Sequence, residues 1–302
     1  MARVLVTGYQ GFLGRHLTAL LLRRGDEVIG LGRRPGHVPG VASLVVDLRD
    51  AAATREALAG HEADLVIHLA AARTGDLAAL YQANVAATEA LLEACRRWQR
   101  PPRVLLVGSA AQYGALEPGE LPVREEQPFR PLGPYGLTKS WAEMLGFQVQ
   151  RLHGLPVVAA RVFNVTGPGE PETTFVGAVV AQLAAAGRVR VGRLEAERDF
   201  VDARDAAAAL LALAERGRPG RAYNVCSGQS ISMRAVLDML CRLYGGPVEI
   251  EAQGQTAERP EVAVVRGDPR RIEREMGWRA SRALVDSLRE TLAAALAERA
   301  AV

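Results

Sequence analysis

The chain opens on an apolar run, Val4 to Val6, closed by Thr7 and Gly8, and apolar positions then recur at helical spacing through Leu17, Leu20 and Leu21. That order of buried strand, tight turn and amphipathic helix repeats along the first half of the sequence. Further strands are predicted at Glu27 to Leu31, ending at Gly32, at Ser43 to Leu48, at Ala63 to Ala71 and at Arg103 to Ser109. Helical stretches at 76 to 98 and 134 to 153 alternate with them. Such alternation predicts βαβ units and a parallel sheet, with ligands bound beyond the carboxyl ends of the strands. Gly8, Ala71 and Ser109 each fall at such an end, and the helix from 134 starts there too. Near the C-terminus, the polar stretch Ala252 to Pro260 predicts a loop. Asp268 and Pro269 then begin a helix ending near Gly277.

The turns carry candidate chemistry. Gly8, Gly11 and Gly14 stand at i, i+3 and i+6 between strand and helix. Glycines there allow the backbone to approach a pyrophosphate, which the helix N-terminus can hold. Arg33 and Arg34 follow the second strand, where an acid would read a free ribose hydroxyl and an arginine would accommodate a phosphate; NADP(H) is therefore favoured, with NAD(H) the alternative. Of 37 lysine and arginine residues only Lys139 is a lysine, and it follows Tyr135 by four positions. In a helix those side chains share a face. A compact ammonium can sit beside a phenol where a broad guanidinium cannot. The cation is expected to lower the Tyr135 pKa and make it a proton donor for carbonyl chemistry.

The glycine turn, the run Ser109 to Gly114, Tyr135 with Lys139, Arg161 to Gly169 and Arg198 to Asp202 together resemble the extended short-chain dehydrogenase/reductases that act on nucleotide sugars. The resemblance runs over nearly the whole chain. Val191 to Phe200, Tyr223 to Gly228 and Glu258 to Pro260 are similar to the branch holding GDP-4-keto-6-deoxy-mannose reductases and GDP-mannose dehydratases. The resemblance implies an α/β fold. A Rossmann-like doubly wound parallel sheet would be built from 1–161 and 195–224, and a smaller α/β domain, 162–194 and 225–302, would bind the nucleotide sugar. It implies a catalytic set of Ser109, Tyr135 and Lys139. Tyr135 would protonate a sugar keto oxygen, Ser109 would hydrogen-bond the same oxygen, and Lys139 would hold the nicotinamide ribose. The cofactor would lie on Gly8, Gln10, Gly11, Phe12 and Leu13, on Asp47 and Leu48, on Leu69, Ala70 and Ala71, and on Asn84. Val162 and Phe163 would flank the nicotinamide. Asn164, Arg193, Arg198 and Arg259 would contact the substrate, arginine being suited to a diphosphate.

Absences narrow the reaction. Where family dehydratases carry an acid after the catalytic hydroxyl, this chain has Ala110, Ala111 and Gln112. Where GDP-fucose synthases use a cysteine and a histidine, it has Ala111 and Gly169. Two reactions remain: reduction of the C4 ketone of a nucleotide-diphosphate 4-keto-6-deoxy sugar, GDP-linked before dTDP-linked, or 4-epimerisation on tightly held NAD. A regulatory protein that kept the fold is a third class, disfavoured by the complete Ser, Tyr and Lys set.

Composition adds bounds. At 302 residues, 49% hydrophobic, the chain suits a nucleotide domain plus a smaller cap. A net charge of +3 with arginines spread along the chain argues against a nucleic-acid surface; an anionic small substrate is enough. Cys95, Cys226 and Cys241 form neither a pair nor a metal spacing, so no metal is expected and a reducing, cytoplasmic setting is. Cys226 is expected to be packed. No apolar segment reaches membrane-spanning length, and with the first strand entered at once no signal peptide is expected. The helices at 76 to 98 and 134 to 153 are expected to pair with a second copy as a homodimer.

Overall fold

The computed structural model describes residues 1–252 and 262–300. In chain order the first half forms β1 (Arg3–Thr7), α1 (Phe12–Arg23), β2 (Glu27–Gly32), β3 (Val41–Val45), α2 (Ala51–Leu58), β4 (Leu65–His68), α3 (Leu77–Tyr81), α4 (Ala87–Cys95), β5 (Arg103–Ser109), α5 (Pro134–His153) and β6 (Val157–Val162). There follow β7 (Asn164–Thr166), α6 (Phe175–Ala186), β8 (Arg188–Val191), β9 (Glu197–Asp202), α7 (Ala203–Arg216) and β10 (Ala222–Val225). The chain ends through β11 (Ser230–Ser232), α8 (Met233–Tyr244), β12 (Glu249–Ala252), β13 (Val264–Val265), α9 (Arg270–Met276) and α10 (Leu284–Ala300).

The main sheet has seven strands in the order β3-β2-β1-β4-β5-β6-β10, and every neighbouring pair is parallel. The expected doubly wound architecture is present. Strand alternation sends Val4 and Val6 to the face covered by α1 and α7, and Leu5 to the face covered by α2, α4 and α5. Strand order reverses between β1 and β4, which opens a crevice at their carboxyl ends. A smaller sheet joins β9 to β7, β11 and β13, and β8 pairs with β12. Its core is made by Val180, Leu183, Leu237, Leu240 and Leu288 of α6, α8 and α10.

Three local differences have physical causes. Strand β9, expected with the nucleotide domain from residue 195, hydrogen-bonds within the smaller sheet, and the chain rejoins the main layer only at α7. Strand β3 ends at Val45 rather than Leu48, because its partner β2 ends at Gly32, the residue paired with Val45. The stretch 76 to 98 is helical but interrupted: residues 82–86 form a π turn between α3 and α4. Most of the loop expected at 252–260 lies outside the described residues. The final expected helix is α9, closed by Gly277 in the left-handed conformation at φ 69°.

Candidate active site

The turn after β1 is built for close approach. Gly8 has φ +70°, and a Cβ there would lie 2.9 Å from the Ala70 nitrogen. A Cβ on Gly14 would lie 2.2 Å from the Gly8 carbonyl oxygen, so turn and helix could not close with any larger residue. Helix α1 is capped by Gly11 without a side-chain acceptor, and no acidic residue stands in its first turn. Its leading amides and positive dipole end are thereby left to an anion at the crevice wall, which fits a dinucleotide pyrophosphate.

A cleft of about 800 Å³ opens above the sheet. Gly8, Gly11, Phe12, Leu13, Leu69 and Ala71 form one wall, Ser109, Tyr135 and Lys139 the middle, and Val162, Phe163, Asn164 and Arg198 the other wall. A second hollow of about 470 Å³ shares Gly8, Gly11, Leu69 and Ala71 and runs out to Gln10, Ala70, Asp47, Leu48, Arg33 and Arg34. Its far end is the place expected for the adenosine. Asp47 is bridged there by the Arg49 guanidinium at 3.0 Å, which holds its carboxyl below the usual range. Two expected contacts stand apart from these walls, and a third is not among the described residues. Arg193 is exposed and lines neither hollow, Asn84 is buried behind one of them, and Arg259 lies outside the described residues.

Asn84 acts on the backbone. At the centre of the π turn, its carboxamide accepts from the Ala72 amide at 2.7 Å and donates to the Ala72 carbonyl at 2.9 Å and to Thr138 Oγ1 at 3.0 Å. It thus clamps the loop after β4 to helix α5, next to Lys139. A second pin lies beneath the glycine turn. The Thr88 hydroxyl donates to the Asn84 carbonyl at 2.6 Å, so it accepts from His68 Nε2 at 3.0 Å. His68 Nδ1 is then left to accept from Thr7 at 2.7 Å, and Thr7 Oγ1 accepts from the Ala70 amide at 3.1 Å. Burial holds His68 down to about 3, so this pin stays neutral.

Helix α5 begins with Gly133 as N-cap and Pro134 in its first turn, and it carries Tyr135 and Lys139 one turn apart at the cleft. Burial lowers the Lys139 ammonium to about 8, with the Glu143 carboxylate pulling it up. Burial also raises the Tyr135 phenol, against the pull of the Arg73 guanidinium and the Ser109 hydroxyl. This corrects the expectation that Lys139 lowers the tyrosine. The cation that acts on the phenol is Arg73, whose guanidinium carbon lies 5.9 Å from the ring centre. Arg73 lines the cleft and gave no signal in the sequence, being one arginine in a loop. A carboxyl group also lines the cleft, Glu170, but it accepts from Thr174 at 2.6 Å and braces the start of α6. Cys226 is fully buried with Tyr113, Val123 and Phe163, and burial raises its thiol well above the usual range, as suits a packed residue.

Residues 4–226 match the model of the NAD dependent epimerase/dehydratase family. The chain is 32% identical over 304 residues to GDP-6-deoxy-D-mannose reductase of Pseudomonas aeruginosa, covering 96% of each chain. It is 33% identical over 304 residues to dTDP-6-deoxy-L-talose 4-dehydrogenase (NAD(P)(+)) of Kitasatospora kifunensis, covering 96% of this chain and 94% of that one. The solved structure of RMD from Pseudomonas aeruginosa complexed with NADPH has a TM-score of 0.86 at 31% identity, over 99% of this chain and 100% of that one. That of Thermus thermophilus UDP-glucose 4-epimerase in complex with NAD has a TM-score of 0.88 at 27% identity, over 97% and 98%. The family match runs through all seven strands of the main sheet and most of the cleft lining, and on that ground the chain belongs to the NAD dependent epimerase/dehydratase family.

Proposed function

We propose that this enzyme reduces the C4 ketone of a 4-keto-6-deoxy sugar carried on a nucleoside diphosphate, with GDP favoured over dTDP. The observation that carries this reading is the convergence of Ser109, Tyr135 and Lys139 at the middle of the cleft, with only Ala110 and Ala111 directly beyond Ser109. Tyr135 donates its proton to the keto oxygen while the Ser109 hydroxyl hydrogen-bonds the same atom. The Arg73 guanidinium favours the negative charge left on the phenol, and the Lys139 ammonium would hold the nicotinamide ribose when the cofactor is bound. Asn164 and Arg198 hold the sugar nucleotide. Arg198 is aimed by its bonds to the carbonyls of Glu197 and Val262, both at 2.8 Å. The nicotinamide, when bound, supplies the hydride. The smaller sheet and its helices form the sugar-nucleotide domain. A 4-epimerase reading accords with the UDP-glucose 4-epimerase relative.

NADP(H) is the favoured cofactor, supported by the exposed Arg33 and Arg34 in the hollow expected for the adenosine. Replacing both by serine is expected to raise the NADPH KM about tenfold or more and to leave the NADH KM within about twofold, since two charge-assisted contacts to a phosphate are lost. Equal effects on both cofactors would contradict the assignment. Turnover should fall as pH rises through about 8, where the Lys139 ammonium loses its proton. A pH-rate profile flat to about 10 would contradict that role. A homodimer is supported by the exposed Leu77, Tyr81, Met144 and Leu152 on α3 and α5. A cytoplasmic location accords with three free cysteines and with the absence, among the described residues, of a helix long and apolar enough to cross a membrane.

The test is NADPH oxidation by purified protein with GDP- and dTDP-linked 4-keto-6-deoxy sugars, run beside NADH. Substrate-dependent oxidation is expected. No oxidation, with NAD retained through purification, would move the reading to a 4-epimerase.

A further inference from the structure

Gln112 has no part in the chemistry above, yet it is completely buried. It folds back under β5, where a Cβ on Gly108 would lie 2.3 Å from its Oε1. That oxygen accepts from the Ser109 amide at 2.7 Å, and the Ser109 hydroxyl in turn accepts from the Ala111 amide at 3.2 Å. The other end of the Gln112 carboxamide donates to Glu143 Oε2 at 2.8 Å. Glu143 lies on α5 one turn beyond Lys139, is 3% exposed, and is forked by Arg161, whose terminal nitrogen stands 2.6 Å from Oε1. Arg161 directly precedes the cleft residues Val162, Phe163 and Asn164. A space of about 10 Å³, the size of one water molecule, lies between Lys139, Glu143, His68 and Thr88.

Among the described residues, the titratable groups near the ammonium are Glu143 on its own helix and the neutral His68 from β4, with Arg161 behind Glu143 and Tyr135 one turn earlier on α5. A carboxylate one turn away on the same face favours the charged lysine in an otherwise desolvated site.

We propose that Gln112 and Glu143 are positioning residues for the reaction: Gln112 fixes the backbone of Ser109, while Glu143, held by Arg161, fixes Gln112 and supports the Lys139 ammonium. The inference rests on Ser109, Tyr135 and Lys139 carrying the chemistry. It gives the buried network a task beyond holding β5, α5 and β6 together.

The single lysine supplies a direct readout. Protein labelled with [ε-13C]lysine gives one side-chain resonance, that of Lys139, whose midpoint is expected near 8. In E143Q the midpoint is expected to fall by about one pH unit, because the charge that favours the ammonium is gone. An unchanged midpoint would overturn the role of Glu143. Should E143Q fail to fold, E143D keeps a carboxylate of shorter reach and should give a smaller fall, again overturned by none. Q112L leaves the Glu143–Arg161 pair in place and removes the hold on Ser109 together with one donor to Glu143. Its kcat is expected to fall about tenfold to a hundredfold with KM within about twofold, and the primary isotope effect with [4-2H]NADPH should rise as the chemical step becomes limiting. A Q112L enzyme that melts earlier but keeps the wild-type kcat and isotope effect would show a structural role alone and overturn the proposal. Failure of the wild-type protein to reduce any 4-keto sugar would instead refute the ketoreductase reading, and the lysine titration would still decide the role of Glu143.

Discussion

Replacing Tyr135 by phenylalanine is expected to lower turnover about 10²- to 10⁴-fold, the usual contribution of a positioned general acid, with little change in fold or NADP(H) affinity. The substitution removes one oxygen from a ring whose place is set by other groups: the clamp of Asn84 on Thr138 and the bond from Thr138 Oγ1 to the Tyr135 carbonyl at 3.0 Å remain. What disappears is the proton that the keto oxygen must receive. Ser109 stays and can still donate a hydrogen bond, which accounts for residual activity, but it has no strong cation to make it a comparable acid. Because the phenol serves the transition state more than the ground state, the loss should fall on kcat and leave KM nearly unchanged. Steady-state rates with NADPH and a 4-keto sugar nucleotide measure it. A variant within about threefold of wild type would remove Tyr135 from the mechanism. A binding protein that kept the fold but not the chemistry would lose no ligand response on this change.

The largest effect on stability is expected from Arg161→Met, about 3–5 kcal/mol, the range found when one partner of a buried ion pair is deleted. Arg161 is 5% exposed and Glu143 is 3% exposed, so methionine would leave a carboxylate in the protein interior without its counterion. The guanidinium also donates to the Tyr113 hydroxyl and to the Glu125 carbonyl, both at 2.8 Å, and lies 4.5 Å from the Phe129 ring centre and 5.1 Å from that of Tyr113. Methionine keeps some of the packing against those rings and none of the charge. A loss of this size is a large fraction of the 5–15 kcal/mol that holds a typical domain folded. The double variant R161M/E143M should be less destabilised than R161M, since it removes the stranded charge as well as its partner. Denaturant unfolding of the wild type and these variants gives the comparison. An R161M protein within about 1 kcal/mol of wild type would mean that water or another cation reaches Glu143.

What could be read in the sequence was local. The glycine turn, β5 and α5 were all legible because each is specified by a handful of neighbouring residues, and α5 runs over the whole stretch expected. The Ser109, Tyr135 and Lys139 set was legible for the same reason: two elements end at one sheet edge, and the spacing on one helix does the rest. What was not legible depends on pairing between distant segments. Strand β9 belongs to the smaller sheet only because β7, β11 and β13 come to meet it. Arg73 reaches Tyr135 across the cleft from a loop whose course is set by Asn84, and the π turn that aims Asn84 leaves no mark in an apolar periodicity. Gln112 had a signal that passed unused: serine followed three positions later by glutamine is a capping box, and the Ser109 amide bound to Gln112 Oε1 is that box in place. Its second partner, Glu143, lies 31 residues on and could be found only in three dimensions.

Hydride delivery to sugar C4 with Tyr135 as the acid can be followed by the transfer of deuterium. Wild-type protein is supplied with NADPH deuterated at the transferring position of the nicotinamide and with a GDP-linked 4-keto-6-deoxy sugar, and the product sugar is examined by NMR. One deuterium at C4 for each NADPH consumed is the result predicted. A 4-hydroxy product carrying no deuterium, or interconversion of C4 configurations without consumption of added cofactor, would contradict it.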